Sequence, residues 1–211
     1  MEHNPYGAPQ VDLIEPMPVV ALTQWSARRL SLLAWLSLVS VIGTLLSLVI
    51  SFGQGWNGID SAPYQLYVDG LNLGLTLLGC YLLIGLKGFA QARFAARHLA
   101  WPVWCCVIIS ALMGGLGFWF GEAAMSGLSW QTFVYLGLMV PLGGVTLWLG
   151  IALLKVEQSY PSFRLMAWLD IAGGACLASV ILLVVAVVPL LGASLAMMAV
   201  FFKGAAEQRA R

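Results

Sequence analysis

The chemistry open to this sequence rests on a few polar side chains within or beside long apolar segments. Asp69 and Asn72 lie one helical turn apart near the start of one segment, Glu122 follows another, and Asp170 lies early in a third. Ionisable groups in such segments are expensive to bury and are functional candidates by default. Asp69, Asn72 and Glu122 could form a polar site for a small solute, and Asp170 could form a proton or ion site.

Simpler structural roles exist for the two aspartates. A carboxylate at Asp69 favours the positive N-terminal end of a helix, which predicts a capping role. Asp170 could instead form a structural ion pair with a lysine at one rim of the membrane. The lysines considered as its partners are Lys87, Lys155 and Lys203.

The patterns typical of enzymes and metal sites are missing from the sequence. The two histidines, His3 and His98, both lie outside the apolar segments, whereas zinc sites need several convergent ligands. All four cysteines lie within apolar segments, where a thiol behaves as a small hydrophobic group. We therefore predict no enzyme activity, no catalytic residue, no bound metal and no cofactor.

Composition identifies the environment of the chain. Of 211 residues, 61% are hydrophobic and only 9% are charged, against about 25% charged residues in soluble domains. Too few charges are available to cover a water-facing surface, so soluble and disordered classes are excluded. Nucleic-acid binding, which needs a larger basic surface, is not expected. The sequence predicts an all-α, polytopic transmembrane helix bundle.

Apolar segments of about 20 residues mark the helices, since that length crosses the hydrocarbon core. The last apolar block, Leu165–Phe202, is 38 residues long, and as one straight helix it would extend about 57 Å. It therefore forms either a hairpin, which could turn at Pro189 and Gly192, or one long kinked helix. The four other spans are Leu30–Phe52, Leu66–Leu86, Trp101–Phe120 and Thr132–Leu154.

The distribution of basic residues favours the hairpin. Lys and Arg are absent from the predicted loops at 53–65 and 121–131, and cytoplasmic loops carry the excess of Lys and Arg. Six crossings with both termini in the cytoplasm place every basic group on that side. The predicted organisation is a flexible Pro-rich cytoplasmic tail (1–29), a transmembrane domain (30–203) and a short basic cytoplasmic tail (204–211).

Glycines at spacings suited to close helix packing form a further set of candidates. Gly70 and Gly74, and likewise Gly117 and Gly121, have GxxxG spacing, and Gly174 has a small residue four positions later. Such residues let helix backbones approach closely. They could pack within this chain, or against a second copy or another membrane protein.

The opening segment Asn4-Pro5-Tyr6-Gly7-Ala8-Pro9-Gln10 resembles the NPYxAPxA-type start of many small bacterial inner-membrane proteins of uncharacterised function. In those proteins a short Pro-rich tail precedes several helices. The resemblance implies a location in the bacterial inner membrane. It implies no activity and transfers no functional residue.

Two functions are consistent with these observations. The first is a non-catalytic inner-membrane protein that acts through protein partners, as an accessory subunit, regulator or immunity-type factor. The alternative is a small oligomeric transporter or channel for a small solute or ion. The position of the aspartates distinguishes them. A cavity shared by Asp69 and Asp170 favours transport, whereas separate capped or paired aspartates favour partner binding.

Overall fold

The computed structural model describes residues 25–57, 62–121, 129–156 and 159–210. In these ranges the chain is all-helical, with no strand, and the predicted fold class is confirmed. A 3₁₀ turn at Arg97–Leu99 precedes the third helix. The helices are α1 (Ala27–Asn57), α2 (Ala62–Phe94), α3 (Ala100–Phe120), α4 (Trp130–Leu154), α5 (Pro161–Ala178) and α6 (Leu183–Arg209).

The outer surface of the bundle suits lipid. Five of the six helices in the described ranges are long and apolar enough to cross a membrane. In hydrocarbon a helix satisfies its own backbone polar groups, which is why such segments are helical. Trp101 and Trp119 of α3 are 74% and 84% exposed, and their 18-residue separation corresponds to about 27 Å. That distance is close to the hydrocarbon thickness of about 30 Å.

Each helix packs antiparallel against its neighbours in the chain, and α6 closes the ring against α1. At the closure, the Ser37 hydroxyl of α1 donates a hydrogen bond to the Ser194 carbonyl oxygen of α6, at 2.8 Å. Between α3 and α4, the rings of Phe120 and Trp130 lie 5.3 Å apart. The result is an up-and-down ring of six helices around a central axis.

The last apolar block forms a hairpin, as the charge distribution predicts, but the predicted turn position is wrong. Residues 179–182 make the turn, with Val180 at a φ of 59°, whereas Pro189 lies inside α6. Membrane helices tolerate an internal proline because neighbouring groups satisfy the freed carbonyl. Helix α5 ends at Ala178, and Ser179 follows as its C-cap. The Ser179 hydroxyl accepts a hydrogen bond from the Leu182 amide at 3.2 Å.

The tightest helix contact joins α4 and α5. A Cβ added at Gly143 would lie 2.4 Å from the Ala178 nitrogen, and one at Gly174 would lie 2.5 Å from the Leu147 nitrogen. These glycines therefore allow backbone-to-backbone contact. Gly174, one of the predicted packing glycines, lies at this contact within the chain.

One end of the bundle carries the basic residues, and we call it the basic end. Nine of the ten Lys and Arg residues lie in the described ranges, all but Arg211. Each lies either in a loop at this end or within about two helical turns of a helix terminus. These termini are the starts of α1, α3 and α5 and the ends of α2, α4 and α6. Arg93 of α2 and Glu207 of α6 form an ion pair there, with 3.2 Å between Nε and Oε2.

The helices extend beyond the predicted domain boundaries at both ends. The Ser26 hydroxyl accepts a hydrogen bond from the Arg29 amide, and α1 begins at Ala27. At the other end, α6 continues to Arg209, because Ala205 is buried and Glu207 pairs with Arg93. The tail prediction for residues 1–24 and the functional prediction for Glu122 lie outside the described residues.

Alanine at Gly143 or Gly174 should destabilise the bundle by about 1–3 kcal/mol, because the added methyl group forces α4 and α5 apart. Thermal unfolding of the purified protein in mild detergent measures the effect. Gly144→Ala is the matched control, since its Cβ position has no neighbouring atom within 4 Å. Equal destabilisation by Gly144→Ala would contradict the assignment of this contact.

Candidate solute-binding cavity

A central cavity of about 770 Å³ lies inside the ring. All six helices contribute side chains to its wall, so a single chain encloses it. Asp69 and Asp170 both line this cavity, together with Asn72. The structure therefore brings three of the four polar candidates into one site.

Side-chain size explains why the cavity exists. Small residues occupy many of the inward positions in its wall, among them Gly114 and Gly117 of α3 and Ala193 of α6. At the basic end, inward positions instead carry large side chains that are fully buried. These include Leu30, Leu86, Phe89, Leu99, Leu153, Phe163, Met166, Val200 and Phe201. The bundle is consequently packed solid at the basic end and hollow towards the opposite end.

The cavity is deep. On α2 its lining runs along one face from Asp69 to Leu83, a separation of 14 residues or about 21 Å. Phe89 follows less than two turns further along α2 and is fully buried, with its ring 6.2 Å from that of Phe201. The apolar core thus separates the floor of the cavity from the basic end.

Asp69 does not cap a helix, and that prediction is wrong. Because α2 begins at Ala62, Asp69 lies about two turns inside the helix, and the first turn carries no acidic residue. Its carboxylate faces the cavity near the end opposite the basic end. A Cβ added at Gly121, at the end of α3, would lie 3.6 Å from the Asp69 Oδ2 atom.

Asp170 does not form the predicted ion pair. It lies at the middle of α5, about 14 Å from the first residue of that helix, whereas the lysines lie at the basic end. Lys87 contacts the Trp104 ring instead, with Nζ 4.9 Å from its centroid. Asp170 makes no ion pair or hydrogen bond with any residue in the described ranges.

The two aspartates lie at different depths of the cavity. Asp170 lies nine residues from the start of α5 at the basic end, which corresponds to about 14 Å. Asp69 lies 25 residues from the end of α2 at the basic end, which corresponds to about 38 Å. Asp69 therefore marks the outer part of the cavity and Asp170 its deep part.

Most of the remaining polar groups of the cavity wall satisfy one another within or between helices. The Ser47 hydroxyl, behind the wall, donates to the Asn72 side-chain oxygen and joins α1 to α2. The Thr76, Thr146 and Ser194 hydroxyls donate to the carbonyl four residues earlier in their own helices. These groups keep lone pairs for a ligand. The carboxylates, by contrast, have no partner among the described residues.

The predicted glycine sites serve different purposes. Gly117 faces the Tyr135 ring, Gly121 faces Asp69, and both line the cavity. Gly70 and Gly74 have no neighbouring atom within 4 Å of their Cβ positions. Their face of α2 is therefore not covered by the described part of this chain.

The described wall of the cavity carries acidic side chains and no basic ones. Its described lining contains two carboxylates and several hydroxyl groups but no Lys, Arg or His. His98 lies outside the cavity, with Nε2 2.9 Å from the Ala152 carbonyl oxygen. No group of three or more His, Cys, Asp or Glu residues suited to a metal ion occurs in the described ranges.

No protein-family model, curated protein or solved structure matches the chain.

Sequence reasoning missed most of the wall. Ser37, Ser40, Ser110 and Ser194 contribute to it but read as ordinary serines in apolar helices. Their spacing carries a signal, since Ser37 and Ser40 lie on one face of α1 at i and i+3. The contribution of Tyr135, which lies opposite Gly117, depends on helix pairing and has no local signal.

A cysteine placed in the cavity should react faster with cationic than with anionic reagents. We expect Thr76→Cys, in a background without native cysteines, to prefer an ammonium over a sulfonate methanethiosulfonate by about tenfold or more, because an acidic cleft concentrates cations. The rates are measured in detergent and normalised to those of a free thiol. Ile181→Cys, in the exposed α5–α6 turn, is the control and should show no preference. Equal normalised rates at Thr76→Cys would contradict an acidic cavity.

Proposed function

We propose that this chain is a membrane transport protein that binds a small cationic solute in its central cavity and moves it across the bilayer. The observation that carries the proposal is that Asp69 and Asp170 share one cavity without a basic partner in its described lining. Polar groups inside a membrane protein are rare and mark pathways for ions and substrates. A cavity with two unpaired carboxylates adds nothing to packing and suits a cation.

The shape of the cavity favours a transporter over a permanently open channel. The cavity reaches the depth of Asp170, but the buried side chains around Phe89, Phe163 and Phe201 close the path to the basic end. A solute bound at Asp170 can pass only if these side chains move. The mechanism we propose is therefore alternating access, in which the basic end opens after the solute has bound.

Each aspartate has its own role in this mechanism. Asp69, in the outer part of the cavity, attracts the cation and lowers the free energy of its entry. Asp170, in the deep part of the cavity, binds the cation once it has left water. Asn72 and the wall hydroxyls supply oxygen atoms along the way.

The proposed location is the bacterial inner membrane, with the basic end and both termini in the cytoplasm. The asymmetry of Lys and Arg supports this orientation, since the nine described basic residues share one end. The cavity then faces the periplasm.

A second candidate function is regulation of, or assembly with, another membrane protein. The uncovered face of α2 at Gly70 and Gly74 favours it, because such faces accept a second helix at close range. Transport and association are compatible, but only transport needs the acidic cavity.

Uptake into proteoliposomes tests the proposed function. Wild-type protein should accumulate tetraethylammonium, Na⁺ or K⁺ above empty liposomes, and Asp69→Asn and Asp170→Asn should each lower the rate about tenfold or more, since each removes a charge from the path. Arg164→Gln is the control. It also exchanges a charged group for an amide, but Arg164 is exposed at the basic end and lies outside the described lining of the cavity, so uptake should be retained. Absence of uptake of every probe, with one partner protein copurifying in stoichiometric amount, would favour the second candidate.

Cysteine labelling tests the orientation. In whole cells expressing variants without native cysteines, a membrane-impermeant maleimide should label Ile181→Cys, which is 91% exposed in the α5–α6 turn. Ala95→Cys, in the turn between α2 and α3 at the basic end, should be labelled only after the membrane is permeabilised. The reverse pattern would invert the proposed orientation, and labelling of both in whole cells would rule out a single orientation.

A further inference from the structure

The surroundings of Asp170 leave its carboxylate without a countercharge. From the adjacent helices, Thr146 and Leu149 of α4 and Ser194 and Met197 of α6 line the same cavity, and none of them titrates. From α2 and α3, the thiols of Cys80 and Cys106 also line the cavity. The remaining titratable groups in the described wall are Asp69 and the Tyr135 hydroxyl in the outer part. All of these are neutral or anionic, so none can balance a negative charge.

An unpaired charge in a site of low dielectric is strongly disfavoured, and the group becomes neutral or acquires a partner. For Asp170 only two neutral arrangements exist in the described surroundings. The carboxyl group can hold a proton, or the carboxylate can hold a cation from the cavity. These arrangements exclude each other, because both use the same charge.

The size and lining of the cavity indicate which cation it accepts. A volume of about 770 Å³ lies within the range of about 300–1,000 Å³ found for small organic ligands and is large for one metal ion. Calcium needs about six to eight oxygen ligands, whereas much of this wall is apolar, with Phe118 and Tyr135 contributing aromatic rings. Aromatic faces bind ammonium groups that carry apolar substituents.

We propose that Asp170 couples proton movement to the binding of a monovalent organic ammonium ion. In the empty site the Asp170 carboxyl group holds a proton. Entry of the ammonium ion releases that proton to water and leaves a carboxylate–ammonium pair, so one positive charge replaces another. Departure of the ammonium ion restores the proton. This inference rests on the proposed function and makes the transporter a proton–cation exchanger.

Calorimetry of purified wild-type protein in mild detergent tests the exchange, with tetraethylammonium as the probe because it carries no dissociable proton. Titration at one pH in buffers of different ionisation enthalpy gives the number of protons released. We expect about one proton per bound cation, and an apparent affinity that rises about tenfold per pH unit below the pH at which empty Asp170 ionises, because binding and deprotonation are linked.

Two substitutions locate the proton. Asp170→Asn should abolish proton release and the pH dependence of any residual binding, whereas Asp69→Asn should weaken binding but retain release. Asp170→Glu keeps a carboxyl group and should retain release with a displaced pH dependence. If Asp170→Asn does not fold, as judged by its melting curve, the wild-type and Asp170→Glu titrations still decide.

The outcomes distinguish proton coupling at Asp170 from cation transport itself. Binding without proton release, or release that survives in folded Asp170→Asn or is lost only in Asp69→Asn, would overturn the role of Asp170 while leaving cation transport intact. Failure of tetraethylammonium to bind, with Na⁺ or K⁺ still transported, would overturn the organic cation. Failure of every probe both to bind and to be transported would overturn the proposed function itself.

Discussion

Close packing of large side chains at the basic end is the interaction on which the rest of the molecule depends. Lipid is as apolar as these side chains, so helices in a bilayer associate through contact geometry more than through exclusion from water. Phe89 is central to it. Its ring lies 6.1 Å from that of Trp25, 6.2 Å from Phe94 and 6.2 Å from Phe201. Such pairs contribute about 0.5–1.5 kcal/mol each beyond their burial. They join α1, α2 and α6 where the ring must close.

The hollow half of the bundle follows from the solid half. With the helices fixed at the basic end and joined tightly at Gly143 and Gly174, small inward residues elsewhere leave space that no side chain fills. Because these residues are small, the Asp69 and Asp170 carboxylates both line the same cavity. A larger side chain at Gly114, where the Thr76 side chain already lies 3.0 Å from an added Cβ, would narrow the space between α2 and α3.

The sequence predicts the helices better than it predicts the site. Apolar length and the placement of Lys and Arg are strong signals because hydrocarbon thickness and membrane insertion act on every residue. They give the six helices and the hairpin of the last block. At the turn of that hairpin the Ser179 hydroxyl accepts a hydrogen bond from the Leu182 amide, and this local signal is weaker in the sequence than the proline at 189. The surroundings of Asp170 could not be predicted from the sequence. Its partners depend on how α5 rotates between α4 and α6, and hydropathy carries no information about rotation.

The contacts that close the basic end are of a kind that can open. The Arg93–Glu207 pair is partly exposed, at 21% and 36%, and ion pairs of that kind contribute about 0–1 kcal/mol. Tyr160 lies beside this pair, and burial together with the Glu207 carboxylate raises the pKa of its hydroxyl to about 12. The hydroxyl therefore stays neutral at physiological pH and adds no charge to be separated. Opening this end would break a weak ion pair and several aromatic contacts, while the glycine-packed α4–α5 contact could move as one unit. Alternating access around Asp170 would therefore require the aromatic contacts at the basic end to separate while α4 and α5 stay together.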